Sequence, residues 1–101
     1  MSKTFVVRYE MRPEAADENQ RLVEAVFAEL AKEKPEGLRY ASFRLADGVT
    51  FVHVGTMADD GGALARSQAF QEFQREFGQR AVGKPVASDA TMIGSYGFLP
   101  E

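Results

Sequence analysis

A chain of 101 residues with 45% hydrophobic and 27% charged side chains has the make-up of one globular domain, spanning 1–101, with a single core. It contains no cysteine, which excludes disulfides, thiolate nucleophiles and cysteine-ligated zinc or iron–sulfur centres. The net charge of −3 argues against a nucleic-acid partner, and no apolar run reaches membrane-spanning length or reads as a signal peptide, so a cytoplasmic protein without a membrane partner is expected.

Thr4 to Met11 alternates as a first strand, with Phe5, Val7, Tyr9 and Met11 on one side and Val6, Arg8 and Glu10 on the other. Pro13 then opens a helix whose first turn carries Glu14, Asp17 and Glu18, suited to the positive end of its dipole. Ala15, Ala16, Leu22, Val23, Val26, Phe27 and Leu30 fall on one arc of that helix, and Pro35 to Gly37 stop it near Lys34. Asp47-Gly48 predicts a two-residue type I′ hairpin, with Phe43 opposite Val52 and Ser42 opposite His53. Asp59 to Gly62 breaks the chain before a second helical region, Ala63 to Arg80. Leu64 points away from Phe70, Phe73 and Phe77 there, which predicts a break with Ser67 as a fresh cap and the three phenylalanines as core. Gly78 and Gly83-Lys84-Pro85 close the region, and the β-branched and aromatic run Thr91 to Phe98 predicts the last strand.

The order β-α-β-β-α-β predicts an α+β, ferredoxin-like domain: an antiparallel four-stranded sheet with both helices on one face. The hairpin register sorts its side chains into two faces. Ala41, Phe43, Leu45, Val52 and Val54 are uniformly small or apolar, and read as core. Tyr40, Ser42, Arg44, Phe51, His53 and Met57 mix rings, hydroxyls and a guanidinium with the only histidine of the chain, and read as a lined cavity on the side the helices leave bare. A bare face holding Phe51, Met57 and Tyr40 predicts a homodimer, two sheets facing each other around a barrel-like chamber. The chamber depends on the His53 imidazole pointing away from the helices.

These elements resemble the dimeric α+β barrel superfamily, and within it the antibiotic-biosynthesis-monooxygenase-like domains, over essentially the whole chain. The resemblance rests on Met11-Arg12-Pro13-Glu14, on Asp47-Gly48-Val49-Thr50-Phe51-Val52, on Asp59 to Leu64 with Ser67 to Phe73, and on Ile93-Gly94-Ser95-Tyr96-Gly97-Phe98. It implies a dimeric barrel. Enzymes of that group include cofactor-independent oxygenases of phenols and quinols, haem-degrading oxygenases, and small isomerases or decarboxylases; other members have no assigned activity. Two departures matter. Met57 stands where such enzymes often place a tryptophan, and this chain has none. The haem-degrading relatives carry a histidine on the second helix, where this chain has Phe70, Gln71 and Phe73, so a haem role is disfavoured and no cofactor is expected.

His53 is the candidate catalytic group, a base able to take a phenolic proton and leave an electron-rich anion for oxygen; the alternative is a structural imidazole at a dimer interface. Tyr40, Ser42, Arg44, Phe51, Met57 and Arg8 are the candidate substrate-binding residues for a small aromatic or quinol-like molecule. Arg8, Glu10 and Arg44 form an anion-binding cluster or a salt-bridge network across the dimer, provided strand 1 turns its polar side toward His53. Tyr9, Tyr40 and Tyr96 are either hydrogen-bond donors to a carbonyl or packing with one wet end. Asn19, inside the apolar arc of the helix, reads as an exposed polar residue of the first turn or, second, as a group orienting a ligand at the cavity mouth. With one histidine there is no metal-binding spacing, and phosphate-loop, dinucleotide and nucleophile-elbow motifs are absent. Two functions remain: a cofactor-independent oxygenase, or a non-catalytic dimer that binds a small apolar ligand or serves as an interaction module.

Overall fold

Alternating side chains build four strands, and one long apolar arc builds the helix that covers them, in a computed structural model that describes residues 3–57 and 62–97. Strand β1 (Lys3–Met11) leads through a short 3-10 turn at Pro13–Ala15 into helix α1 (Ala16–Glu33). Strands β2 (Leu38–Arg44) and β3 (Thr50–Met57) form the hairpin. Short helices α2 (Gly62–Ala65), α3 (Gln68–Gln74) and α4 (Phe77–Arg80) precede β4 (Ala81–Ala90). The sheet is antiparallel throughout, in the order β2-β3-β1-β4, which is the ferredoxin-like arrangement. Among the described residues no helix is long and apolar enough to cross a membrane.

Helix α1 buries the arc read from the sequence: Ala15, Ala16, Val23 and Val26 are buried, while Leu22, Phe27 and Leu30 pack partly buried against them. It ends where Lys34 turns left-handed at φ 50°, its N–H closing on the Leu30 carbonyl ahead of Pro35. The break at Ser67 also forms. Its hydroxyl accepts the Phe70 N–H at 3.0 Å and starts α3 on a new phase. A second break follows at Glu76, left-handed at φ 58°, and Gly78 lies inside α4.

The hairpin keeps the expected register, Phe43 with Val52 and Ser42 with His53, but not the expected turn. Only Gly48 has positive φ, at 80°, and the Leu45 N–H bonds to the Thr50 carbonyl across four intervening residues. Asp47 spends its carboxylate instead on the N–H groups of Val49 and Thr50 and on the Thr50 hydroxyl. A side chain able to accept three hydrogen bonds replaces the left-handed conformation the tighter turn would require.

The last strand is a correction. It runs through Ala81–Ala90, while Thr91 to Gly97 has no regular structure and Ile93 and Tyr96 are fully solvent-facing at 98% and 100%. Phe98 lies outside the described residues. Position beside the free edge of β1 outweighs propensity here. The ladder tolerates Gly83, Lys84 and Pro85 because the three stand opposite the single residue Tyr9, with Gly83 at φ 74° making the bulge.

The faces are also reversed. Phe51 and His53 lie under the helices at 2% and 4% exposure, whereas Phe43 is 41% exposed on the bare side with Val52 and Val54. Because His53 pairs with Val7, and Arg8 with Val52, Arg8 and Glu10 belong to the bare face. The mixed face is acceptable as core because its polar atoms satisfy one another. His53 therefore points toward the helices and not to the bare face where the chamber was expected.

Candidate functional site

Pairing places three polar side chains around one imidazole. Ser42 is directly opposite His53 across the β2–β3 ladder, Tyr40 is diagonal to it beside Gly55, and Tyr9 is diagonal on β1. The Tyr9 hydroxyl meets Nε2 of His53 at 2.7 Å, while the Tyr40 and Ser42 hydroxyls meet Nδ1 at 2.7 and 2.8 Å. Asn19 reaches down from α1 and its Nδ2 donates to the Tyr9 oxygen at 3.0 Å. The only asparagine of the chain is thus fully buried against the network rather than exposed on a first turn.

Counting protons orients the chain. A neutral imidazole has one N–H and one lone pair. With Asn19 donating to Tyr9, the Tyr9 O–H has Nε2 as its acceptor, and the ring proton sits on Nδ1 between Tyr40 and Ser42. This leaves the Asn19 Oδ1 buried without a partner. Turning the amide over reverses every bond: Tyr9 donates to Oδ1, the ring proton moves to Nε2, and Nδ1 becomes free to accept from Tyr40 or Ser42. The network has two neutral polarities, and the second offers a basic nitrogen.

Burial sets the electrostatics. Desolvation lowers the His53 pKa to about 4, so the ring is neutral at pH 7. The Tyr9 phenol is pushed up to about 12 by burial, against opposing pulls from the Asn19 hydrogen bond and the Arg80 charge. Burial raises Tyr40 as well, with Tyr9 adding to the effect and the Ser42 hydrogen bond opposing it.

A cavity of about 290 Å³ opens beside this network, between the sheet and helices α2 to α4. Phe5, Val7, Tyr9, Tyr40 and His53 floor it, Leu64, Phe70, Phe73 and Phe77 roof it, and Gln74 and Pro85 complete it. An apolar pocket with a few convergent polar groups is the usual form of a small-molecule site. Its shape depends on Gly55, where a Cβ would overlap the Phe5 ring that lies across the strand and packs 5.9 Å from Tyr40. Among the described residues, no group of three or more His, Cys, Asp or Glu side chains could hold a metal ion.

The candidate residues divide accordingly. His53, Tyr40 and Ser42 come together, with Tyr40 and His53 on the cavity wall. Phe51 is a support, its ring stacked on Tyr9 at 5.6 Å. Arg44 clasps α1 to the hairpin, bonding Gln20 at 2.7 Å and Asp17 at 3.1 Å and lying over Phe51. Met57 is half-buried at the end of β3, outside the cavity lining. Arg8 and Glu10 are exposed on the opposite face, so the Arg8–Glu10–Arg44 cluster does not form at this site. Tyr96 is remote and exposed. Sequence reasoning named Tyr9 only together with Tyr40 and Tyr96, missed the buried role of Asn19 and passed over Arg80. The only signals for Asn19 were its uniqueness and its place inside an otherwise apolar helical arc.

The fold and the cavity define a class: a small ferredoxin-like α+β domain holding one buried histidine in an apolar pocket under its helices. No protein-family model matches the chain and no curated protein matches it. Solved structures do. The chain is similar to Rv0793 from Mycobacterium tuberculosis, at 18% identity over 94% of this chain and 98% of that one, with a TM-score of 0.73. It is similar to SnoaB, a cofactor-independent oxygenase from Streptomyces nogalater, at 21% identity over 99% and 98%, with a TM-score of 0.66. A structure named antibiotic biosynthesis monooxygenase matches at 15% identity over 93% and 100%, with a TM-score of 0.73. The fold is that of the antibiotic-biosynthesis-monooxygenase-like proteins.

Proposed function

We propose that this protein is a cofactor-independent oxygenase acting on a small phenol or quinol-like molecule. The observation that supports this most directly is the apolar cavity with His53, Tyr9 and Tyr40 on one wall. Both imidazole nitrogens are engaged by hydroxyls, so His53 works through a neighbour. The substrate O–H gives its proton to the Tyr40 oxygen as that hydroxyl gives its own to Nδ1, leaving a substrate anion beside an imidazolium. Oxygen then takes electrons from the anion, the substrate itself serving as reductant, so one oxygen atom enters the product and the other leaves as water. The name of SnoaB agrees with this reading.

The bare sheet face supports a homodimer as the working form. Val6, Val52, Val54 and Phe43 lie there with Val86, which is 69% exposed. A second copy of the same face is the economical cover. Sedimentation of Val86→Glu, a position open enough to accept charge within one subunit, tests it: monomers are expected, and an unchanged dimer removes that face from the interface.

Oxygen uptake with a panel of quinols and naphthols tests the activity. Sustained consumption, reduced at least about tenfold in His53→Gln, is expected. Saturable binding without consumption favours the second reading, a non-catalytic ligand-binding module.

A further inference from the structure

Arg80 is buried at 7% exposure, and a guanidinium does not shed its proton inside a protein. Its Nη1 and Nη2 donate to the carbonyls of Arg75 and Phe73, and its Nε is buried with no hydrogen-bond partner. None of the ion pairs among the described residues includes it. The charge instead rests on two rings, 5.9 Å from the centroid of Phe73 and 5.8 Å from that of Phe77. The same two rings line the cavity. A fixed positive charge without a carboxylate, in low-dielectric surroundings, is costly to keep and is felt across the wall it backs. It already reaches the far side, opposing the effect of burial on the Tyr9 phenol.

The cavity has the complementary deficit. Among the described residues no acidic side chain lines it, and of its polar groups the Tyr40 hydroxyl, when the ring proton of His53 sits on Nδ1, and the Gln74 amide can donate hydrogen bonds to an occupant. We propose that the cavity holds its aromatic occupant as an oxyanion, a phenolate or enolate, with Arg80 as the fixed counter-charge behind the Phe73–Phe77 wall and the Tyr40 hydroxyl as donor. Arg80 does not touch the occupant; it acts through its field. The inference takes its aromatic occupant from the proposed function, and needs no reaction with oxygen.

The probe is 4-nitrophenol, whose anion absorbs visible light, titrated while bound to the full-length protein. Wild type is expected to favour the anion at least about tenfold over water, moving ionisation down by one pH unit or more. Without the probe His53 ionises near 4 and Tyr9 near 12, with Tyr40 also raised, so none of them titrates by itself between about pH 5 and about pH 9. The Arg80 variants separate the charge of that residue from any proton that His53 takes from the probe. Arg80→Met keeps the aliphatic stem and removes the charge, so the shift should vanish or reverse; Arg80→Lys should retain part of it. If Arg80→Met fails to fold, wild type alone still decides. Affinity for 4-nitrophenol should rise with pH while affinity for uncharged nitrobenzene stays level. The proposal is overturned if bound nitrophenol ionises no more readily than in water, if Arg80→Met keeps the full shift, or if no saturable binding occurs. A protein that lowers the probe's ionisation but consumes no oxygen keeps this inference and loses the oxygenase reading.

Discussion

The Tyr9 hydroxyl stands 2.7 Å from Nε2 of His53 while accepting a hydrogen bond from Asn19, so one phenol ties helix α1 to strand β3 through the core. Tyr9→Phe strips a partner from both neighbours in a place water does not reach. A loss of about 1–3 kcal/mol in unfolding free energy is expected. Pairing it with Asn19→Ala should give less than the sum of the two single changes, with a coupling of about 0.5–3 kcal/mol by urea denaturation. Strict additivity would mean that the two groups act separately.

Burial of His53 makes stability depend on pH with a definite sign. The folded ring ionises near 4 and the unfolded one near its ordinary 6.5. Between these values the unfolded chain binds the extra proton, so stability is present above 6.5 and is lost as pH falls toward 4. From pH 7 to pH 5 the loss should be about 2 kcal/mol, and His53→Gln should flatten this part of the profile. Urea midpoints at the two pH values, for both proteins, measure it.

Gly55 gives the Phe5 ring its place. Gly55→Ala would put a methyl group where that ring now lies, driving the ring toward the cavity. An overpacking cost of about 1–3 kcal/mol is expected, together with weaker binding of 4-nitrophenol. Adding Phe5→Leu should restore both. Restored stability without restored binding would separate the cavity's shape from its packing.

Glu29 on α1 holds the roof of the cavity. Its carboxylate accepts from the Ser67 hydroxyl at 3.0 Å and the Ala69 N–H at 2.8 Å, at the start of the helix carrying Phe70 and Phe73. The Ala69 and Ser67 hydrogen bonds hold its pKa below the usual carboxylate value. Its contribution is therefore present above the ordinary carboxylate range and lost as pH falls through the depressed folded pKa. Glu29→Gln should speed amide exchange at Ala69 and Phe70 relative to β3 at neutral pH. Equal exchange in the two proteins would show that Ser67 holds the turn unaided.

The order of elements, and which side chains travel together, was legible from residue patterning alone. Apolar phase marked α1 and the break at Ser67, and the spacing around Asp47-Gly48 fixed the β2–β3 register even though the turn proved longer. Propensity misplaced the last strand, because a partner edge selects Ala81–Ala90 over a better β-former with no ladder to join. Which face of the sheet lies beneath the helices was left to the tertiary structure. Alternation divides residues into two sets without saying which set is covered, and polarity pointed the wrong way at His53. Tyr9, Tyr40, Ser42 and Asn19 come from three separate elements, and only folding brings their hydroxyls and amide to one imidazole, making a polar set fit to be core. Arg80 shows the same limit: in sequence it is one more surface-type charge, and only packing against Phe73 and Phe77 encloses it.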